Sequence, residues 1–337
     1  MKISRLLCLA FSSIFCVSAL TSCGSSDNSV VIFTSLEDYR ISKMEELLKE
    51  QFPDKNIVVQ YLDTGTLMSR LQSEGTGTDC DIAVGIEASN AEILLESNPG
   101  IFADLSDYDT SHYLDDVLTY QSRHHYYHIF DKEAGCIIVN TKVLSEKGLS
   151  EPTSFKDLLK DEYKGLIEMP NPKTSGTGYY FYNGLVSEWG ETEALNYFDS
   201  LAPSIKEFTA SGSGPVKALN RDEIAIGLGM TFQAALYANE NDNLKIIYFD
   251  EGSPYTLYTE TIVSGKEKNS DVKEVYDYLY NTFTPLDKAL YDPETIYKPE
   301  YQPVCEIPNY PTNITYMNMN GIFDPDYKSN LLDKWTH

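Results

Sequence analysis

From residue 30 onward the chain repeats one pattern: a short β-branched or aromatic run, a few small polar residues, then apolar residues at helical spacing. Val30 to Phe33 is followed by Thr34 and Ser35, after which Ile41, Met44, Leu47, Leu48 and Phe52 fall on one helical face. Ile57 to Leu62 reads as a strand, Asp63 to Thr66 as a turn and cap, and Leu67 to Leu71 as a helix; Asp81 to Val84 and Ala88 to Leu95 make a third pair. Three strand-loop-helix units predict an α/β fold with a parallel sheet. In open α/β sheets the loops after the strands meet ligands, so Thr34, Ser35, Gly65, Thr66, Gly85 and Glu87 are expected on one rim.

A stretch containing many Tyr and His, from Tyr108 to Phe130, separates this half from a second series. There Cys136 to Asn140, Leu166 to Met169, Ile224 to Leu228 and Ile246 to Phe249 read as strands, with helices through Trp189 and Phe198. Tyr255 to Val263 reads as a strand returning to the first half. The chain is longer than the roughly 250–300 residues that one hydrophobic core organises, which favours two lobes. The expected division is 30–104 with 251–284 in one lobe, and 105–250 with 285–337 in the other.

Two turns of the second series have the composition of a ligand cradle. Pro172, Lys173, Thr174, Ser175, Gly176, Thr177 and Gly178 open into Tyr179 and a helical run; the glycines allow close backbone approach, and hydroxyls and free N–H groups at a helix start suit an anion. The same residues also serve as a plain helix cap, stabilising by about 1 kcal/mol with no ligand. Ser211, Gly212, Ser213, Gly214 and Pro215 precede Val216 to Leu219 in the same way, with Pro suited to the first helical turn. Rims from two halves that face each other make a cleft. The phosphate loop G-x-x-x-x-G-K followed by Ser or Thr is absent.

The first 22 residues change the picture of location. Lys2 and Arg5 precede an apolar stretch, Leu6 to Leu20, which is shorter than the roughly 20 residues a spanning helix needs. It ends in Leu20, Thr21, Ser22, Cys23, Gly24, which resembles the bacterial lipobox; that resemblance implies removal of 1–22 and a diacylglycerol on Cys23, with 23–29 as a polar tether. Cell-membrane anchoring on the extracytoplasmic face is therefore expected. The net charge of −25 becomes about −27 without Lys2 and Arg5, which argues against nucleic acid as a partner because such interfaces need clustered Lys and Arg. Cys80, Cys136 and Cys305 remain, an odd and widely spaced set that reads neither as disulfides nor as zinc ligands.

The other candidate groups are weaker. Arg40, Lys173 and Arg123 lie near the predicted rims; Arg40 and Lys173 could contribute there, but each suits a solvent-facing helix position better. Tyr39 and Tyr179 directly follow candidate turns, and Tyr39 is kept with the binding set; the many other tyrosines fit half-buried surfaces. His124, His125 and His128 lack the H-E-x-x-H pattern, and the run through His128 looks like a buried strand. No metal or cofactor is called for.

Taken together, VIFTSLEDYR, EGTGTDCDIAVG, GCIIVNTKVL, PKTSGTGYY, ASGSGPVKALNRDEIAIGLG and YFDEGSPY before TETIVSG resemble the extracellular solute-binding proteins of ABC importers, in the iron(III), thiamine, putrescine and phosphonate or sugar-phosphate group. The resemblance covers nearly all of the chain after residue 23. It implies the two-lobe type II periplasmic-binding-protein fold, a hinged cleft, a small-molecule ligand, ABC permease subunits as partners, and a monomer free to open and close. It also implies Thr34 and Ser35 on one lobe, with Thr174, Ser175, Gly176, Thr177, Gly178, Ser211, Gly212 and Ser213 on the other. Where iron-binding relatives carry adjacent tyrosines, this chain has Met230 and Thr231, which argues against ferric ligation and adds those two residues to the candidate set. Where phosphonate-type relatives carry acidic residues after the EG turn, Thr256 and Tyr258 stand here. A phosphorylated or other anionic organic solute is the favoured expectation, with ferric ion, polyamine or thiamine as alternatives within the fold. A surface sensor or a hydrolase using a Ser of either turn is the alternative of another class, although the G-x-S-x-G nucleophile pattern is absent.

Overall fold

The computed structural model describes residues 29–121 and 125–337. The expected signal segment, Cys23 and the expected tether as far as residue 28, together with Arg123 and His124, lie outside the described residues.

The strands are β1 (Ser29–Thr34), β2 (Asn56–Tyr61), β3 (Ile82–Glu87), β4 (His128–Asn140), β5 (Ile167–Pro170), β6 (Ile205–Thr209), β7 (Ile226–Met230), β8 (Leu244–Ile247) and β9 (Tyr255–Ile262). Their order is β2-β1-β3-β9-β4-β7-β5-β6, with β8 on β4. In the first half β2, β1 and β3 are parallel, as expected from the strand-loop-helix units, and β9 closes them antiparallel to β3. In the second half β5 lies parallel to β6 and β7. β4 belongs to both halves: residues 128–134 pair with β9, and residues 135–140 pair with β7 and β8, all antiparallel.

The helices cover this sheet. α1 (Asp38–Gln51), α2 (Thr64–Glu74), α3 (Ala88–Ser97) and α4 (Asp115–Gln121) belong to the first series; α5 (Thr141–Lys147), α6 (Gly176–Trp189), α7 (Glu191–Leu201), α8 (Gly214–Asn220) and α9 (Thr231–Glu240) belong to the second. α10 (Ser270–Tyr278), α11 (Thr284–Leu290) and α12 (Pro325–Lys334) follow β9. α2 starts where Asp63 accepts from the Thr66 amide, and α5 ends at Gly148 in the left-handed region, both local signals of the kind that stop and start helices. β3 is buried along its whole length because it is covered on both faces.

α6 is buried over its first eleven residues and fills the second half with Tyr179, Tyr180, Phe181 and Tyr182. Gly135 on β4 permits this: a Cβ there would meet the rings of Tyr180 and Phe181 at 2.8 Å.

Several contacts cross the expected division between halves. Tyr108 packs on Tyr276 and Tyr280 of the segment after β9, and the Tyr113 hydroxyl donates to the carbonyl of Ile129, in the part of β4 that pairs with β9. α11 does the same through Asp287 and Lys288, which meet Arg40 and Asp131. α12 touches both halves: Lys328 reaches the start of α3, and Trp335 just beyond the helix packs among Tyr182, Phe198 and Phe208. The physical reason is that aromatic packing and charge pairing here join segments distant in sequence, which periodicity does not register.

Candidate functional site

The loops after β1 and β2 face the turns before α6 and α8 across a cavity of about 180 Å³. On the first-half side it is lined by Ser35, Leu36, Glu37 and Asp38 after β1, and by Tyr61, Asp63 and Thr64 after β2. Thr174 to Thr177 and Ala210 to Ser213 form the opposite wall, with Lys217 and Met230 beside them. Glu133 of β4 and Tyr258 of β9, the two adjoining strands, make its floor.

The second-half wall is built from hydroxyls and main chain. Ser175 is the N-cap of the fourteen-residue α6, and its side chain makes no capping hydrogen bond, so its hydroxyl is not spent on the helix start. Gly176 lies against the Tyr258 hydroxyl so closely that a Cβ would collide with it. Gly212 lies equally close to Thr177 Oγ1, so the two turns meet edge to edge. Ser211 and Ser213 pair through their hydroxyls at 3.2 Å. This wall offers donors to an anion at the positive end of a helix.

The first-half wall is acidic. Ser35 donates to the carbonyl of Gly85 at 2.6 Å, and Gly85 accommodates this by a bulge in β3 with φ of +84°. Glu37 receives Arg40 Nη1 at 3.3 Å, and burial raises its pKa while Arg40 opposes the rise. Glu133 is 6% exposed and its Oε2 has no hydrogen-bond partner. Burial, with Glu37 and Asp131 nearby, holds its carboxyl well above the usual range. Lys217 and Asp38 approach to 3.9 Å across the mouth, a contact between exposed groups.

A second, larger cavity of about 830 Å³ adjoins the first and shares Asp63, Thr64, Thr174, Ser175 and Gly176 with it. Gly65, Thr66 and Glu87 line this outer space and not the inner one. Thr66 is engaged with Asp63, and Glu87 is neutralised by Lys328, whose ammonium also reaches Ser89 and Asn90 at 2.8 Å.

Among the residues expected in the site, Ser35, Thr174, Ser175, Gly176, Thr177, Ser211, Gly212, Ser213 and Met230 line the inner cavity. Thr34, Tyr39, Gly178 and Thr231 do not. Thr34 is buried in β1, where its hydroxyl accepts from the Leu36 amide. Tyr39 packs on Tyr291 inside the first half. Gly178 lies against the backbone of Pro170, Asn171 and Pro172, a packing role that only glycine fills. Thr231 is buried against the Tyr248 hydroxyl. Arg40, read as suited to solvent, is fully buried among carboxylates. Lys173 is exposed on the outer cavity's wall. Sequence reasoning missed Glu37, Asp38, Asp63, Glu133, Lys217 and Tyr258 as lining; Tyr258 was noted only as a departure from relatives. Among the described residues no group of three or more His, Cys, Asp or Glu is placed to hold a metal ion, and no helix is long and apolar enough to cross a membrane.

Comparison with known proteins gives a consistent result. A profile of the bacterial extracellular solute-binding proteins matches residues 97–283, more than half of the chain. An uncharacterized protein of Haemophilus influenzae is 31% identical over 141 residues, so that the match spans 42% of this chain and 41% of that relative's length. The periplasmic binding protein P5PA superposes with a TM-score of 0.76 at 17% identity, covering 91% of this chain and 98% of that one. AfuA from Actinobacillus pleuropneumoniae, with exogenous fructose-6-phosphate bound, gives 0.73 at 19% identity over 91% and 97%. A periplasmic thiamin binding protein gives 0.72 at 14% identity over 91% and 95%. At such identities the structural likeness is one of fold, the two-lobe fold expected from the sequence. The family and these neighbours are binding proteins and not enzymes. With the family profile covering more than half of its length, the chain belongs to the bacterial extracellular solute-binding proteins.

Proposed function

We propose that this chain captures a small phosphorylated solute bearing hydroxyl or amino groups, holds it in the inner cavity, and delivers it to an ABC permease while tethered to the membrane through Cys23. The observation that carries the reading is the pairing of unlike walls. Hydroxyls and the uncapped start of α6 face a set of carboxylates that includes Glu133 with a free oxygen. The first wall suits phosphate oxygens and the second suits the donors at the other end of the same molecule. The fructose-6-phosphate bound to AfuA, a protein of the same fold, supports this class of ligand. A net charge near −27 does not oppose it, because salt screens distant surface carboxylates beyond about 8–10 Å.

The carboxylates Glu37, Asp38, Asp63 and Glu133 favour a second reading, a polyamine cation, against the single Lys217 among the inner cavity's lining. A thermal-shift screen separates the two. The phosphate reading expects sugar phosphates to raise the melting temperature, by an amount equal to about 2.7 kcal/mol when ligand is at 100 times its Kd. Stabilisation by putrescine or spermidine, with none by phosphorylated solutes, overturns it. For the anchor, Cys23→Ser is expected to release the protein from the membrane fraction, and retention of the variant there would refute lipid attachment at that residue.

A further inference from the structure

The inner and outer cavities meet at the start of α6. Thr174, Ser175 and Gly176 line both, and so do Asp63 and Thr64 opposite them. At this neck a Cβ added to Gly65 of α2 would come within 3.7 Å of Thr174, so α2 and the turn before α6 lie near each other where the two spaces adjoin. The spaces on its two sides differ in chemistry. The inner one is lined at its floor by Glu133 and Tyr258, and one buried carboxyl oxygen of Glu133 has no hydrogen-bond partner. The outer one has Met68, Ile93 and Leu332 as half-buried apolar side chains, with Lys173 exposed at its edge.

Resting on the phosphate reading above, we infer that the solute is a phosphodiester. A phosphate held by the α6 start sits at the neck, so one ester oxygen faces each cavity. The alcohol on the inner side carries hydroxyl or amino donors for Glu133. The alcohol on the outer side is larger and partly apolar, and it covers Met68, Ile93 and Leu332. A monoester would leave the outer space of about 830 Å³ to solvent and gain nothing from those three side chains.

Titration calorimetry of the full mature chain with glycerol 3-phosphate, its methyl diester and its phenyl diester tests this. The phenyl diester is expected to bind at least about tenfold tighter than the methyl diester, the return on burying one ring face. In Ile93→Trp, and separately in Met68→Trp on α2, that ratio is expected to fall toward one as the new ring fills the outer space; circular dichroism and melting establish that each variant is folded. If glycerol 3-phosphate binds and both diesters bind more weakly, or if the phenyl and methyl diesters bind alike, the diester inference is refuted while the phosphate reading stands. A ratio unchanged in both folded variants also refutes it. If none of the three binds, and sugar monophosphates fail as well, the phosphate reading itself falls.

Discussion

Arg40 is the keystone beneath the acidic wall, and Arg40→Met tests how that wall is held. In the native protein its Nη2 lies 2.8 Å from Asp131, its Nε 3.0 Å from Asp287 and its Nη1 3.3 Å from the partly exposed Glu37, with Arg40, Asp131 and Asp287 out of solvent. The guanidinium also sits 5.4 Å from the Phe130 ring and 5.3 Å from that of Phe232 on α9. Methionine keeps much of the apolar bulk between those rings and removes the charge. Breaking a buried ion pair from one side costs about 3–5 kcal/mol, and because Lys288 still faces Asp131 the loss should lie near the lower figure. The pH dependence follows from the carboxylates left behind. Burial pushes Asp131 up, but Lys288 and Arg40 outweigh it and hold it below its usual value; Asp287 is already raised by burial against the pull of Arg40. Without Arg40 both folded-state values rise, so the deficit is small near the unfolded value of about 3.9 and grows with pH by up to about 1.4 kcal/mol per unit for each extra proton held. Urea unfolding at pH 5 and pH 7.5 measures this, with Arg40→Lys expected to fall between the two proteins. A loss under about 1 kcal/mol at pH 7.5, or an equal loss at both values, would falsify the account.

Further outcomes are expected at three residues. Glu133→Gln should weaken binding of the cognate solute by about tenfold in calorimetry, because one of the two carboxyl oxygens that accept from the solute is replaced by an amide nitrogen. Since the native carboxyl is raised, its contribution is present below the ordinary carboxylate range and is lost as pH rises, so the Gln variant should gain stability relative to wild type between pH 5 and pH 8 in melting curves. Gly176→Ala should lower affinity through collision with the Tyr258 hydroxyl, and Tyr258→Phe in the same chain should restore part of it. Glu260 is pushed up to about 8 from 4.5 by burial, with Thr284 opposing; the native protein should lose up to about 1.4 kcal/mol per pH unit between those values from this group, and Glu260→Gln should flatten that part of the denaturation profile.

The strand-loop-helix rhythm made β1, β2, β3 and the helices after them readable, because their apolar positions follow a period and their turns carry cap residues such as Asp63. β6 escaped because Ile205 to Thr209 is half-exposed and carries Lys206 and Glu207. The small-residue wall of the cavity was legible for the same reason as the helices: Ser175 and Ser213 stand at helix starts, and such starts have a local signature. The acidic wall was not. Glu133 lies within a long strand whose register is set by partners at 255–262, and nothing near it in sequence marks it as lining. Arg40 deceived because helix periodicity tells which residue faces inward but not that carboxylates from β4 and α11 await it. Gly178 deceived in another way: its neighbours line the cavity, while it serves the fit of α6 on the preceding turn.

β4 and β9 leave the first half at Gly135 and Pro254, where the Gly135 amide donates to the Pro254 carbonyl and Ser253 Oγ donates to the Gly135 carbonyl at 2.6 Å. A rotation of one half against the other about this crossing displaces atoms in proportion to their distance from it. Glu133, two residues away in sequence, would hardly travel, whereas groups of the second half farther from the crossing would travel more. Were the halves to open about this crossing, an arriving molecule would meet Glu133 in an almost fixed position and the hydroxyl-bearing turns in a variable one. Arrival rates should therefore respond to changes near the pivot, and residence times to changes in the arms.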